Sequence, residues 1–466
     1  MSVKDSTGPR GGVGHKRRLR PAYKALALAA ALALGGGGVV IAAQGASAGQ
    51  DAARSAPVTS TIDCPDVGDR LSEVPDQARS EVDQELAGLD TQIAEAYGRL
   101  STGRARADAL LGELKEERSE TIGRVSEAIG RSAARPDGLE ELSACEMKEA
   151  PAADGDLARS AAGAGVSADG AAKGGPARAD FVAIGKVKPN VRKPAVKAGA
   201  SKGSFAVQCG RNEERHLNPD NVIVAPGVSN GAHHMHDYVG NKIADAFSTN
   251  NSLAAAGTTC TNGDQSTYYW PVLRLRDGKA EKDAAAPGGG QDANVGTILQ
   301  PKQVTIEFKG SPVSRVTAMP RFLRIITGDA KALTNGPANA NASWSCTGFE
   351  NRQLKDKYPL CPKGSDVVRT FNFQSCWDGK NTDSANHRTH VAFAGRDGSC
   401  PAGFKAVPQL VQRIVYSLPP GARFAVDSFP EQLHKPVTDH GDFINVMSDR
   451  LMADAVRCVN GGRTCR

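Results

Sequence analysis

The chain has 466 residues, enough for two or three domains, and its 40% hydrophobic share permits a real core. Aromatic residues supply only 5%, while Gly and Ala are plentiful, which points to linker within the chain. A net charge of +6, carried partly by the N-terminus and partly by the linker, does not argue for nucleic acid, and no standard nucleic-acid module is present.

Residues 1–48 read as an export signal. Lys16, Arg17, Arg18, Arg20 and Lys24 form a positive segment, Ala25 to Ala43 is apolar, and Ala46-Ser-Ala48 offers a cleavage site. Arg17-Arg18 is similar to a twin-arginine signal, but the apolar pair expected after it is missing, which favours general secretion. The alternative is an uncleaved membrane anchor of about 19 residues, near the roughly 20 a span needs, although four consecutive glycines weaken it.

Between residues 64 and 148 the pattern is helical. Val82, Leu86, Leu89, Ile93, Tyr97 and Leu100 recur at steps of three and four, as do Ala107, Leu111, Leu114, Ile122, Val125 and Ile129. One long coiled coil or a hairpin turning near Ser101 to Gly103 fits both stripes, and a Cys64–Cys145 bridge would favour the hairpin. Spacing or dimerisation is the expected role.

Residues 149–203 lose this periodicity and read as a disordered Ala/Gly/Lys-rich linker. From Phe181 to Gly203 there is no acid, while Lys186, Lys188, Arg192, Lys193, Lys197 and Lys202 are basic. Such a run is either a solvated tether or a loose attachment to an anionic wall polymer or membrane surface.

Residues 204–466 turn to short strands, at Phe205 to Gln208, Gln303 to Phe308, Arg321 to Ile326, His390 to Phe393 and Gln409 to Tyr416. A mainly β domain of sandwich or jelly-roll type is expected, with one helix near Arg450 to Val459. The ten cysteines (Cys64, Cys145, Cys209, Cys260, Cys346, Cys361, Cys376, Cys400, Cys458, Cys465) include no Cys-x-x-Cys pair. Five disulfides paired in sequence order suit an oxidising compartment better than a structural zinc site.

Eight of the nine histidines follow residue 215. In Ala232-His-His-Met-His-Asp237, an extended backbone puts His234 and His236 on one face, a common way to offer a metal two nitrogens. His440 and Asp442 have the same spacing, and His387 and His390 follow the Asp378-Gly379 turn. These clusters support three readings. The first is a divalent transition-metal site, zinc or copper, held by His234, His236, His390 and His440. The second is metal-free acid–base catalysis with Asp237, Asp378 and Asp442 as carboxylates. The third is a structural polar network. Trp377 is a core residue or a sugar-stacking platform, with Tyr269, Trp270 and Asn381 as further expected substrate contacts. Signatures of serine hydrolases, zincin proteases, P-loops and dinucleotide folds are missing.

Several strings, in order, resemble one family: Pro226-Gly227, His234-Met-His236, Gly257-Thr-Thr-Cys-Thr261, Tyr268-Tyr-Trp-Pro-Val-Leu273, Cys376-Trp-Asp-Gly-Lys-Asn381, Pro408-Gln-Leu410 and His440-Gly-Asp-Phe-Ile-Asn445. The family is domain of unknown function nineteen-ninety-six, and the resemblance spans about residues 205–460. It implies secretion and, through fungal members joined to wall-binding modules, a polysaccharide partner. It implies no activity, but its pattern includes His234, His236, Asp378, His390, His440 and Asp442. His233 and His434 fall outside it.

The expectation is thus an exported envelope protein that binds or processes wall polysaccharide, or another envelope glycan, at a cleft lined by His and Asp. The alternatives are a metal-dependent hydrolase, with Asp378 or Asp442 as base, and a non-catalytic structural protein. Nucleic acid is not expected, membrane contact is expected only through the N-terminus, and dimerisation through the helical region is open.

Overall fold

The computed structural model describes residues 60–149, 176–279, 281–419 and 421–466. The export-signal segment and linker residues 150–175 lie outside the described residues. Among those described, no helix is long and apolar enough to cross a membrane.

The two apolar stripes form a hairpin of α1 (Asp76–Ser101) and α2 (Ala107–Gly130). Pro75 starts α1, where its missing N–H costs no hydrogen bond. The reversal uses Gly103, whose φ of 68° is left-handed and cheap only without a Cβ. Val82, Leu89, Ile122, Val125 and Ile129 close one cluster between the helices, and Tyr97, Leu110 and Leu114 close another. The Cys64–Cys145 disulfide and an antiparallel pair, Ser60–Asp63 with Glu146–Glu149, tie the open end.

The C-terminal region is mainly β, as expected, and holds two principal sheets. One has six strands in the order Ala342–Cys346, Val367–Asn372, Gln409–Tyr416, Gln303–Lys309, Ser204–Val207 and Thr464–Cys465. The other has five, in the order Arg324–Gly328, His440–Ile444, Thr267–Pro271, His236–Gly240 and Leu217–Asn218, all antiparallel. The main core gathers Phe308, Trp344, Phe371, Leu410 and Ile414 of the first sheet with Tyr268, Trp270, Ile325 and Phe443 of the second. Since side chains alternate across a strand, the other face of the five-stranded sheet is left for the site. The helix near the C-terminus spans Asp449–Asn460, and the five disulfides join the cysteines in sequence order.

The disordered-linker reading fails for residues 178–203. Phe181–Ala183 pairs in parallel with Tyr358–Leu360, Ile184 is fully buried, and the Asp180 carboxylate is 2.9 Å from Lys435 Nζ. A few apolar anchors and backbone bonds fix this segment to the domain despite its linker-like composition.

Candidate metal centre

The site begins with register. Asp442 pairs with Tyr269 across the five-stranded sheet, and Tyr269 pairs with Tyr238 on its other side. Paired residues share a face, as do residues two apart. His236, which stands opposite Pro271, therefore shares a face with His440 and Asp442, one on each side of the central strand. His234 comes from the turn preceding His236.

All three imidazoles are buried and converge through Nε2. Nε2 of His234 lies 3.1 Å from that of His236 and 3.3 Å from that of His440, and the third edge is 3.4 Å. Three nitrogens bound at about 2.0–2.1 Å to one tetrahedral ion stand about 3.3–3.4 Å apart, so the triangle has the size of a three-histidine metal face. Among the described residues this is the one such cluster of His, Cys, Asp and Glu.

The tautomers agree. Nδ1 of His236 faces the Asp220 carbonyl at 2.9 Å, and Nδ1 of His440 faces the Thr438 carbonyl at 3.0 Å. A carbonyl only accepts, so each Nδ1 donates and each Nε2 of the neutral ring presents a lone pair inward. One proton on His234 would satisfy one of these lone pairs and leave the other facing nitrogen. A cation satisfies all three. Burial, followed by the neighbouring imidazoles, holds His234 well below the usual histidine range, and burial holds His440 at about 4. The rings are therefore neutral at physiological pH, the form in which an imidazole can bind a metal.

His234, His440 and Asp442 line a cavity of about 150 Å³. Both carboxylate oxygens of Asp442 are buried without a hydrogen-bond partner, and one lies 3.9 Å from His440 Nε2. Burial pushes this carboxyl up to about 8, with Arg388 and the Asn221 amide pulling the other way. The opposite wall is the helical hairpin, which contributes Leu89 and Asp90, together with the segment leading into it, which contributes Ile62, Asp66 and Asp69. The hairpin is held there by Lys331, whose Nζ is 2.6 Å from Asp90 and 3.5 Å from Asp66, and by a 3.1 Å hydrogen bond between Thr91 and His233. Its apolar stripes are used within the chain.

The remaining expected site residues lie elsewhere. His390 does not join the triangle: its Nδ1 bonds Ser384 Oγ at 2.9 Å and its Nε2 the Arg324 carbonyl at 2.7 Å. Asp237 points to the opposite sheet face, as alternation requires, where it accepts from Asn212 at 2.6 Å. Asp378 accepts from the backbone of Lys380 and Asn381 and from the Asn381 side chain, which closes its own turn. Trp377 donates to the Asn381 carbonyl at 2.7 Å, and neither residue lines the cavity. Tyr269 and Trp270 are fully buried, bonded to Asn221 and Tyr416. His233 and His434 are also outside the triangle, held by Asp292 and the Val426 carbonyl. His387 lines the cavity but gives its Nδ1 to Asp383.

Residues 221–446 match the family described as domain of unknown function (DUF1996). The chain carries a DUF1996 domain. No curated protein and no solved structure matches the chain. The three histidines and Asp442 all fall inside the DUF1996 segment, whereas the hairpin that forms the facing wall precedes it. Sequence reasoning missed Lys331, Arg388, Asp66, Asp69, Asp90 and Glu431, all of which line the cavity, because no local motif marks a residue that meets its partners only through tertiary docking.

Proposed function

We propose that the DUF1996 domain is a metal-dependent hydrolase acting on an envelope glycan, with His234, His236 and His440 as ligands. The convergence of three buried Nε2 atoms, two with their tautomer set by backbone carbonyls, carries this reading. Three neutral imidazoles at tetrahedral spacing suit zinc first.

A bound ion would supply a water of lowered pKa as nucleophile. Asp442 stands beside the triangle with both oxygens uncommitted; the charge of a bound ion would hold it ionised against its burial, and it is then the group placed to take that water's proton. Arg388, on the cavity wall, gives Nη1 to the Gly328 carbonyl and leaves the rest of its guanidinium to orient an oxygen-rich substrate. The mixed lining of Asp66, Asp69, Asp329, Lys331 and Arg388 favours a polar, hydroxyl-bearing substrate over an apolar one. Five disulfides support work outside a reducing cytosol.

The test is elemental analysis of the tag-free protein, followed by a polysaccharide screen with and without added zinc. One transition-metal ion per chain, lost in His236→Ala, together with zinc-dependent turnover, is expected. A wild-type chain that neither retains nor takes up an ion sinks the reading.

A further inference from the structure

We propose that residues 186–202 form a fixed binding track for a linear polymer carrying one phosphate per repeat, a site separate from the histidine cavity. None of its residues lines that cavity.

The segment combines two properties. The first is outward charge between anchored ends. Lys186, Lys188, Arg192, Lys193, Lys197 and Lys202 are all exposed, as are Val191 and Val196 between them, while Ile184 and Ser201 are buried and Val187 packs on the main core. The second is fixed backbone. The Asn190 N–H donates to the Asn351 carbonyl at 2.9 Å, Lys197 N–H to Pro312 at 2.9 Å, and Ser201 N–H to Ser311 at 3.0 Å. Arg352 donates to the carbonyls of Ile184 and Gly185, and Asn190 and Gln353 bond each other through side chain and backbone. Anchors at the ends and these backbone bonds hold the cations outward along a run whose upper limit, if extended, is about 56–61 Å.

Charge balance points to a partner. No acid occurs between Phe181 and Gly203, and among the described residues these six cations form one ion pair, Lys197 with Asp397, at 3.8 Å and with both side chains more than half exposed. Like charges held along a fixed backbone repel one another, and a polyanion relieves that repulsion. Because the track is already ordered, binding costs little chain entropy on the protein side. The composition suits phosphate: five of the six are Lys, compact point charges that bind phosphate oxygens, and the planar fork of Arg192 fits a phosphate as it fits a carboxylate, which is why polygalacturonate is the competing arm of the test.

The experiment measures anisotropy of labelled poly(glycerol phosphate) with the full chain, beside polygalacturonate, neutral dextran and anionic phospholipid vesicles. Saturable binding to the phosphate polymer is expected, weakening at least about tenfold between about 50 and about 200 mM salt as counterions compete. The triple variant Lys188→Ala, Arg192→Ala, Lys193→Ala should bind about tenfold more weakly. A charge-matched control, Lys115→Ala, Lys279→Ala, Lys363→Ala, should bind like the parent, and unchanged melting and metal content in both variants would show an intact fold. Absence of binding, equal loss in both triples, or binding to polygalacturonate or vesicles as tight as to the phosphate polymer overturns the proposal. Metal content and glycan turnover stand apart from this outcome.

Discussion

Three aspartates with similar sequence credentials end in three different chemical situations, and the difference is their partners. Asp378 is saturated by its own turn, and Asp237 is buried against Asn212 on the far sheet face. Asp442 alone combines burial, uncommitted oxygens and a place beside the histidine triangle. Asp442→Asn should therefore keep the metal and lower turnover by about 10² to 10⁴, the usual contribution of a positioned general base, whereas Asp378→Asn should leave turnover unchanged. Metal analysis and initial rates on the screened glycan decide it, and equal loss in both variants would remove Asp442 from the mechanism. Period-two spacing made His234, His236, His440 and Asp442 legible as candidates. It could not show that His236 and His440 share a register across the central strand, because that depends on pairing partners some 200 residues apart in sequence. His390 was misleading for the same reason: its nitrogens are claimed by Ser384 and Arg324, a contact no local motif announces.

At the scale of elements, the hairpin was readable and its position was not. Its heptad-like stripes, its turn and its cysteine staple are local features. Its docking depends on Lys331, on a short helical turn after the strand Arg324–Gly328, which reaches two acids more than 240 residues away. The site strands were hard to find for another reason. His236–Gly240, Thr267–Pro271 and His440–Ile444 are buried at every position, so they lack the alternation that identifies a half-exposed strand. Replacing Lys331 by Met leaves Asp90 and Asp66 facing the cavity without their cation. Because a quarter of the lysine is exposed (26%), the expected loss is about 2 kcal/mol, below the 3–5 of a fully buried pair. Urea unfolding gives the total, and hydrogen exchange should show the extra opening concentrated in α1 and α2. Uniform loss of protection across the sandwich would mean that Lys331 supports the domain, not the docking.

The molecule as a whole buries most of its imidazoles neutral, which has a consequence for its acid stability. His434 isolates the effect, since it is outside the triangle and its Nδ1 donates to the Val426 carbonyl at 3.0 Å. Burial, then the neighbouring Arg276, pushes it down to about 3 from an ordinary 6.5. Between these values the unfolded chain takes up a proton that the folded chain refuses. The stability this group contributes is therefore complete above pH 6.5 and is lost as pH falls towards 3. His434→Asn keeps a donor for Val426 and tolerates the left-handed φ of 52°, but it does not titrate. Near pH 8 the smaller side chain should cost about 1–3 kcal/mol. Between about pH 6 and about pH 4 that deficit should shrink and then reverse, because the wild type loses up to about 1.4 kcal/mol per pH unit that the variant retains. Buried acids that titrate upward, Asp237 and Glu431 among them, are present in both chains and cancel in the difference. Urea unfolding of both chains across this range measures it directly, and parallel stability curves would show that His434 is protonated in the folded state or relieved of its burial.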